Sequence, residues 1–241
     1  MYGRMRVAAV VPAYNEERLI ERTLTTLPRF VDGIIVVDDG SRDRTVLRAE
    51  QVDDARITVV KHRKNRGVGA AIVTGYRHVL ASDFDVAVVV GGDAQMDPLE
   101  MDRLLEPIAI GAADYVKGDR MSHPELETRM PKNRRIGNQV LTALTRVATG
   151  AAEIRDSQCG YTAITRQALE QLPLERVWPR YGYPNDILGW MTRAGLRVVD
   201  RPVTPIYGEE VSGIRPLTIV PTLAFVLARV SLDRYLSRGA L

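Results

Sequence analysis

The sequence predicts an α/β fold in which a mostly parallel sheet is covered by helices on both faces. Two observations support this prediction. In the first half of the chain, short unbroken apolar runs alternate with segments whose apolar residues recur at helical spacing. Polar clusters then follow several of these runs, and ligands bind beyond the carboxyl ends of parallel strands. Unbroken apolar runs are typical of strands buried on both faces, so the pattern indicates a parallel sheet.

The elements of the first half follow one another in a regular order. Buried strands are predicted at residues 7–11, 34–37, 57–60 and 86–90. Helices are predicted at residues 19–27, from a Ser41 cap through residue 52, at 67–80, and from 97 to 108. The last of these begins with Asp97, Pro98 and Glu100, which read as an N-cap, a first-turn proline and a capping-box acid.

The second half is less regular and still predicts one compact domain. Ile136, Val140, Leu141, Leu144 and Val147 recur at helical spacing before Gly150. A second helix, ended by Gly195, is indicated by Ile187, Leu188, Met191 and Ala194. Short strands are predicted at 198–199 and 203–207. We expect a domain over residues 1–213, followed by a helical segment over 214–241.

Composition excludes several classes of protein. The 241 residues carry a net charge of +3, which is too small to indicate nucleic-acid binding. A single cysteine, Cys159, allows no intrachain disulfide and fits a reducing compartment. The N-terminus lacks the features of a signal peptide, and no stretch before residue 214 is long enough to span a bilayer. The sequence therefore predicts a cytoplasmic protein with at most peripheral membrane contact.

Four motifs in order carry a resemblance to a known family. They are residues 11–17 (VPAYNEE), 37–41 (VDDGS), 65–71 (NRGVGAA) and 92–98 (GDAQMDP). Together they resemble the inverting glycosyltransferases of family 2, which have the GT-A fold. The last two motifs are similar to the branch that contains dolichyl-phosphate mannose synthase and bacterial polyprenyl-phosphate glycosyltransferases. The resemblance covers roughly residues 6 to 210 and is weaker in the second half, where 208–213 lacks the branch's basic residues.

The resemblance implies a nucleotide site at the first two motifs. Pro12, Ala13 and Tyr14 can supply an apolar wall for a base, and Glu16 and Asp39 can accept hydrogen bonds from base or ribose. The same site is predicted to include Asp38 and Gly69. Two alternatives stay open: the aspartates can serve only to make a turn, and the glycine can serve only for close packing.

A metal site is predicted at Asp93 and Gln95. Side chains two apart on a strand face the same way, so both can present oxygens to one Mg²⁺ or Mn²⁺ ion. The chain departs from mannose synthases here, because Gly91 stands where they usually carry another aspartate. The alternative is that Asp93 is only a turn residue at a strand end.

Basic residues predict the acceptor site. An arginine side chain can bind two oxygens of one phosphate. Further along the chain from Arg120, the seven residues 129–135 contain Arg129, Lys132, Arg134 and Arg135. The resemblance assigns the acceptor phosphate to Arg120 and one of Arg134 or Arg135, and it brings Gln158 near the acceptor cleft. A solvated basic face or contact with an anionic membrane is the alternative.

Asp186 stands where family members acting on hydroxyls keep a general base. A hydroxyl must lose a proton during attack, whereas a phosphate is already ionised. Asp186 can therefore act as a catalytic base, orient a substrate or cap the following helix. The C-terminal segment 214–241 predicts an amphipathic helix at a membrane interface, or a helix packed on the domain or on a second subunit.

These observations predict a metal-dependent inverting glycosyltransferase, with Asp93, Arg120 and Asp186 as candidate catalytic residues. The expected donor is a nucleotide-diphosphate sugar, with UDP favoured and GDP-mannose open, and the expected acceptor is a lipid phosphate. The alternative is a soluble family 2 enzyme that glycosylates a hydroxyl of a glycan or metabolite. Assembly into a homo-oligomer is left open.

Overall fold

The centre of the molecule is a mixed sheet. The computed structural model describes residues 1–206 and 216–238, and within these ranges the sheet has seven strands in the order β3-β2-β1-β4-β6-β5-β7. The strands are β1 Val7–Ala13, β2 Val31–Asp38, β3 Ile57–Lys61, β4 Val86–Val89, β5 Tyr115–Asp119, β6 Thr162–Thr165 and β7 Val198–Pro202. Neighbouring strands run parallel, except that β6 is antiparallel to both β4 and β5.

Helices cover both faces of this sheet. In the described ranges they are α1 Ile20–Thr25, α2 Thr45–Glu50, α3 Val68–Leu80, α4 Met101–Ala109, α5 Leu126–Arg129, α6 Lys132–Thr149, α7 Arg166–Glu170, α8 Tyr183–Arg193 and α9 Pro216–Arg238. The α/β fold class and the four strands predicted in the first half are confirmed.

The core is divided into two layers by the alternation of side chains along each strand. On β1, Val7, Ala9 and Val11 face a layer that includes Leu104 of α4. Ala8 and Val10 face the opposite layer, against α3. Gly75 on α3 sits so close to Val10 that an added Cβ would lie 2.2 Å from a Val10 methyl group. The unbroken apolar run of β1 is therefore explained by burial on both faces.

The sequence interpretation missed β5 and β6. The β5 strand contains Lys117, whose side chain is fully buried and donates a hydrogen bond from Nζ to the Cys159 carbonyl at 2.6 Å. A lysine inside a strand hides the apolar pattern that marks a buried strand, and β6 is only four residues long. Antiparallel pairing with both β4 and β5 makes β6 a central strand of the sheet.

Three local predictions are wrong. Ser41 does not cap α2, which begins at Thr45; its Oγ instead accepts the Asn15 amide at 2.9 Å. Glu100 does not close a capping box, because its carboxylate accepts the Thr204 amide at 2.7 Å. Asp97 does cap its turn, with Pro98 in the first position. Residues 203–206 form no strand, and residue 207 lies outside the described residues.

The C-terminal helix α9 packs against the domain. Val226 and Val230 are fully buried and contact Ala148 of α6. The segment 208–213, the predicted boundary at 213/214 and residues 239–241 lie outside the described residues. In the part of the chain that the structure describes, no helix combines the length and the apolar character needed to cross a membrane.

Candidate active site

A cavity of about 320 Å³ lies beyond the carboxyl ends of β1, β2 and β4. Its lining combines an apolar wall with three carboxylates. The residues are Pro12, Ala13, Tyr14, Glu16, Asp39, Asn65, Val68, Ala71, Val89, Gly91, Gly92, Asp93, Met96 and Tyr183. Five residues predicted for the nucleotide site and one predicted metal ligand therefore meet in one place, because parallel strands end at the same edge.

Asp39 connects this cavity to the glycine-rich turn before α3. Its Oδ1 accepts the Arg66 amide at 2.9 Å, and its Oδ2 accepts the Gly67 amide at 2.7 Å. His62 Nδ1 lies 2.7 Å from Oδ1. The carboxylate is therefore held in one orientation by the backbone of a loop 27 and 28 residues away in sequence. No motif in the sequence predicts a role for His62 in the site.

Gly69 serves packing. An added Cβ at Gly69 would lie 2.3 Å from the Trp178 carbonyl oxygen, and one at Gly67 would lie 2.4 Å from the Pro179 carbonyl oxygen. Gly67 also has a φ of +104°, which disfavours other residues. The start of α3 can approach residues 178–179 only because both positions lack side chains. Gly69 is absent from the cavity lining.

Asp38 is also absent from the cavity lining. Its buried carboxylate accepts the amides of Gly40 and Ser41, each at 3.2 Å from Oδ2, and so closes the turn after β2. This arrangement matches the alternative in which the aspartate serves only to make a turn. The adjacent Asp39 is the member of the pair that faces the cavity.

Glu16 and Asp93 influence each other electrostatically. The pKa of Glu16 is raised to about 7, first by burial and next by the negative charge of Asp93. Two carboxylates that disfavour joint ionisation form a site for positive charge. Oxygen ligands of this kind suit Mg²⁺ or Mn²⁺. Among the described residues, however, no cluster of three or more acidic, histidine or cysteine side chains forms a complete metal site.

The expectation that Asp93 and Gln95 share one face of a strand is wrong. The β4 strand ends at Val89, and Ala94 has a φ of +54°, so residues 93–95 form a turn. The Gln95 amide donates to Asp93 Oδ1 at 3.1 Å, and Gln95 does not line the cavity. An added Cβ at Gly91 would lie 2.7 Å from Asp93 Oδ1, so the glycine leaves room for this carboxylate.

Arg120 is held by Asp156, a fully buried partner that was not predicted as a site residue. Its Nε donates to Asp156 Oδ2 at 2.7 Å, and its Nη2 donates to Oδ1 at 3.1 Å. The backbone amide of Arg120 also points to Oδ2, at 3.2 Å. Although burial opposes ionisation, Arg120 and the donors around it hold the pKa of Asp156 at about 2. This two-point contact orients the guanidinium group.

The same carboxylate organises a wider polar network. Asn138 on α6 donates to Asp156 Oδ1 at 2.9 Å, and so does the Gln158 amide at 3.1 Å. The Gln158 side chain donates to Asn185 Oδ1 at 3.0 Å, and Asn185 donates to Thr145 Oγ1 at 2.7 Å. These bonds join α6, α8 and the segment after α6. Gln158 is therefore part of the support for Arg120.

The segment that follows Asp156 reaches the cavity wall. An added Cβ at Gly160 would lie 3.1 Å from the Tyr183 hydroxyl and 3.3 Å from the Met96 methyl group, and both residues line the cavity. The Tyr161 hydroxyl donates to the Asp97 carbonyl at 3.1 Å. The network around Arg120 and the predicted nucleotide site are thus joined by a few residues of chain.

Asp186 lies away from the cavity lining. It is fully buried, its Oδ2 accepts the Trp178 amide at 2.7 Å, and its Oδ1 forms an ion pair with Arg229 of α9 at 2.5 Å. The predicted acceptor arginines Arg134 and Arg135 lie in the first turn of α6. Arg135 pairs with Glu127 at 2.8 Å.

Only a weak sequence signal could have identified Asp156 and Asn185. Asp156 opens a short polar segment that precedes Cys159, but its partner Arg120 is 36 residues away in the chain. Asn185 directly precedes the residue that was considered as a base. The local sequence pattern does not predict which polar residues will be buried together.

The fold and the cavity define an α/β protein with a candidate ligand site at the carboxyl edge of its sheet. The profile of the Glycosyl transferase family 2 matches residues 8–173, which is more than half of the chain. This protein therefore belongs to glycosyl transferase family 2, as the motifs predicted.

Two relatives are similar to this chain over most of its length. A UDP-N-acetylglucosamine–dolichyl-phosphate N-acetylglucosaminyltransferase of Methanococcus voltae is 29% identical over 215 residues, and the match covers 83% of this chain and 85% of the relative. An undecaprenyl-phosphate mannosyltransferase of Micrococcus luteus is 30% identical over 213 residues, and the match covers 85% of each chain.

A solved structure supports the fold. The glucosyl-3-phosphoglycerate synthase of Mycobacterium tuberculosis, in complex with Mn²⁺, UDP and phosphoglyceric acid, superposes with a TM-score of 0.71. The match covers 96% of this chain and 78% of the synthase at 22% identity. The GT-A-type α/β architecture predicted from the sequence is confirmed.

Proposed function

We propose that this protein transfers a sugar from a nucleotide-diphosphate sugar, preferably a UDP-sugar, to a polyprenyl or dolichyl phosphate. One observation carries the proposal: a cavity lined by Glu16, Asp39 and Asp93 is linked by a few residues to an arginine held at two points by a buried aspartate. The names of the two relatives, which both act on lipid phosphates, agree with it.

The nucleotide binds in the cavity. Pro12, Ala13 and Tyr14 form the apolar wall against the base, and Asp39 accepts hydrogen bonds from the base or ribose. Because the Asp39 carboxylate is held by two backbone amides and His62, it needs little reorganisation when the nucleotide arrives.

Asp93, with Glu16 nearby and Gln95 as a further oxygen donor, would hold Mg²⁺ or Mn²⁺ together with the diphosphate. A divalent ion bound there would neutralise negative charge that develops on the leaving nucleotide diphosphate. Burial and, next, the negative charge of Asp93 raise the pKa of Glu16, and a cation bound in the cavity would reduce the repulsion between these two carboxylates.

Arg120 binds the acceptor phosphate, with Arg134 or Arg135 as a second contact. A phosphate oxygen attacks the anomeric carbon, the new carbon–oxygen bond forms on the face opposite the diphosphate, and the bond to the nucleotide breaks with inversion. No general base is required, since the phosphate is already ionised. Asp156 fixes the direction of the Arg120 guanidinium group.

Transfer to a hydroxyl is the rival function, and the placement of Asp186 weighs against it. That carboxylate is fully buried and paired with Arg229, so it does not face the cavity as a base for a hydroxyl acceptor would. Membrane contact on the cytoplasmic face belongs to the proposal for a lipid acceptor.

The test is sugar transfer from labelled UDP- and GDP-sugars to a short-chain polyprenyl phosphate, with Mg²⁺, Mn²⁺ or EDTA. We expect label in the lipid product from one UDP-sugar, and none with EDTA. Label on a hydroxyl acceptor, or no lipid label from any donor that binds, would contradict the proposed acceptor. Arg120→Ala, which should lose transfer while UDP still binds, separates the acceptor site from the nucleotide site.

A further inference from the structure

Asp186 lies between the C-terminal helix α9 and the segment that precedes α8. Its carboxylate is fully buried, and the two oxygens have different partners. Oδ1 pairs with the Arg229 guanidinium group of α9 at 2.5 Å, and Oδ2 accepts the backbone amide of Trp178 at 2.7 Å. One buried charge therefore joins α9 to residues 178–182, which we call the segment before α8.

The α9 helix also contacts this segment through its side chains. The ring of Phe225 lies 5.5 Å from the ring of Trp178, and the Arg229 guanidinium carbon lies 5.5 Å from the centre of the same Trp178 ring. Gly182 has a φ of +101°, and an added Cβ there would lie 3.3 Å from a Val226 methyl group. The helix α9 therefore contacts both ends of the segment before α8.

The segment before α8 also contacts the start of α3, next to the cavity at the sheet edge. The Ala70 amide, in the first turn of α3, donates to the Pro179 carbonyl at 2.9 Å. This close approach depends on the lack of side chains at Gly67 and Gly69. The Gly67 amide in turn donates to Asp39 Oδ2 at 2.7 Å, and Asp39 lines the cavity. A displacement of the segment would therefore move the backbone that holds Asp39.

A second wall of the cavity begins directly after this segment. Tyr183 is the first residue of α8, it lines the cavity, and it lies about one helical turn before Asp186. An added Cβ at Gly69 would lie 2.9 Å from the Tyr183 Cβ, so α3 and α8 are in close contact there. Asp39 and Tyr183 thus border the cavity from two elements that both depend on the position of the segment before α8.

Helix capping does not account for the contacts of Asp186. The N-cap of α8 is Gly182, and no side chain caps this helix end. The Asp186 carboxylate instead binds one group before the helix and one group on α9. Removing one partner of a buried ion pair leaves an uncompensated charge, so loss of Arg229 should disturb the position of Asp186 and of the Trp178 amide.

We infer that Asp186 is a positioning residue for nucleotide binding: paired with Arg229, it holds the segment before α8 against the start of α3 and so fixes the shape of the cavity. The inference rests on the proposed function, because it takes the cavity as the nucleotide site. In this role Asp186 touches no substrate and transfers no proton. Its effect reaches the nucleotide through a continuous series of contacts that ends at Asp39 and Tyr183.

Titration calorimetry with UDP tests the inference on the full chain. Arg229→Met removes the charge and keeps a long aliphatic side chain. We expect it to weaken UDP binding about tenfold at a temperature at which the variant is folded. In transfer assays the KM for the donor should rise by a similar factor while kcat stays within about twofold, since a positioning role for binding leaves the chemical step unchanged.

Arg234→Ala is the matched control. Arg234 is also on α9, but its Nη1 donates to the Val147 carbonyl of α6 at 2.8 Å and not to the segment before α8. We expect this variant to bind UDP within about twofold of wild type, because surface contacts of this kind contribute little. An equal loss of UDP affinity in both variants would overturn the assignment to the Asp186–Arg229 pair.

A double-mutant cycle tests whether the pair acts as one unit. Asp186→Asn keeps an oxygen for the Trp178 amide and removes the ion pair. Alone or combined with Arg229→Met, it should therefore show the same loss of UDP affinity as Arg229→Met alone. Arg229→Lys keeps the charge and should bind UDP more tightly than Arg229→Met. Additive losses, or a lower melting temperature with unchanged UDP affinity, would overturn the inference.

A surface variant keeps the inference testable if Arg229→Met does not fold. Phe225 is 57% exposed, so Phe225→Ala removes a ring contact to Trp178 at little expected cost to the core. We expect UDP binding to weaken about threefold. Wild-type affinity for UDP in this variant would contradict the dependence of the cavity on α9.

Hydrogen exchange without nucleotide separates this inference from the proposed function. The Ala70 and Trp178 amides should exchange about tenfold faster in Arg229→Met than in wild type, and at the wild-type rate in Arg234→Ala. A chain that shows this difference but binds no UDP supports the positioning of the segment by Arg229 and contradicts the proposed function. Equal UDP binding and equal sugar transfer by wild type and Arg229→Met contradict the positioning role alone.

Discussion

The cavity at the sheet edge and the polar network around Arg120 use polar residues in opposite ways. At the ends of β1, β2 and β4, apolar strands carry Glu16 and Asp93 into an open cavity. Around β5 and α6, fully buried polar side chains such as Lys117, Asp156 and Asn185 bind one another or the backbone. One region presents polar groups to an open cavity, and the other uses them to support a single arginine.

These two regions contain two kinds of residue: those that face the cavity and those that orient another side chain. The groups that face the cavity come directly after strand ends, so the local sequence predicts their position. Groups that orient another side chain are buried, and removing one leaves its partners without hydrogen bonds. We therefore expect substitutions at the cavity to change activity, and substitutions in the polar network around Arg120 to change stability as well.

The largest expected effect is that of Asp93→Asn. Removing this carboxylate from the cavity should lower transfer at least a thousandfold, equivalent to about 4 kcal/mol, while stability stays the same. Asp53→Asn, at an exposed loop position, is the control and should retain full activity. Steady-state transfer with Mg²⁺ or Mn²⁺ measures the effect, and near-wild-type activity of Asp93→Asn would remove Asp93 from the proposed mechanism.

Asp156→Asn should act on both stability and activity. Leaving Arg120 without its buried counter-charge is expected to cost about 3 kcal/mol or more in the free energy of unfolding. Asp114→Asn is the matched control, because Asp114 contacts Arg197 through two oxygens at the surface and should lose less than about 1 kcal/mol. Denaturant unfolding measures both variants, and equal losses would contradict the contrast between buried and exposed pairs.

Asp200→Asn should change how stability depends on pH. Burial raises the pKa of Asp200 to about 6, so its ionisation is easier in the unfolded chain and wild-type stability should fall as pH rises from about 4 to 6. The asparagine variant lacks this titration, so its stability relative to wild type should increase by at most about 3 kcal/mol over that window and stay constant above it. Parallel stability profiles of the two proteins would contradict the raised pKa.

The smallest expected effect separates two adjacent aspartates. Asp39→Asn should weaken UDP binding about tenfold, or about 1.4 kcal/mol, because this carboxylate faces the cavity. Asp38→Asn should leave UDP affinity within about twofold, since Asp38 only closes the turn with Gly40 and Ser41. Calorimetric titration with UDP measures both, and equal weakening would return Asp38 to the nucleotide site.

Prediction from sequence succeeded where the signal is local. The strands β1 to β4 are predicted by unbroken apolar runs. The meeting of Tyr14, Glu16, Asp39 and Asp93 at one cavity is predicted by their positions after strand ends. It failed for the strand expected through Asp93 and Gln95, where a positive φ at Ala94 forms a turn instead, and for β5, whose buried lysine breaks the apolar pattern.

By itself, the sequence determined the family, the order of the first strands and helices, and the edge of the sheet where the site forms. Those features depend on residues near one another in the chain. Only the tertiary structure decided that Asp156 holds Arg120, that Asp186 pairs with Arg229 of α9, and that the apolar stripe of α6 faces outward. Each of these depends on which distant polar groups are buried together, because a buried charge or amide needs a partner and spacing along one chain does not specify it.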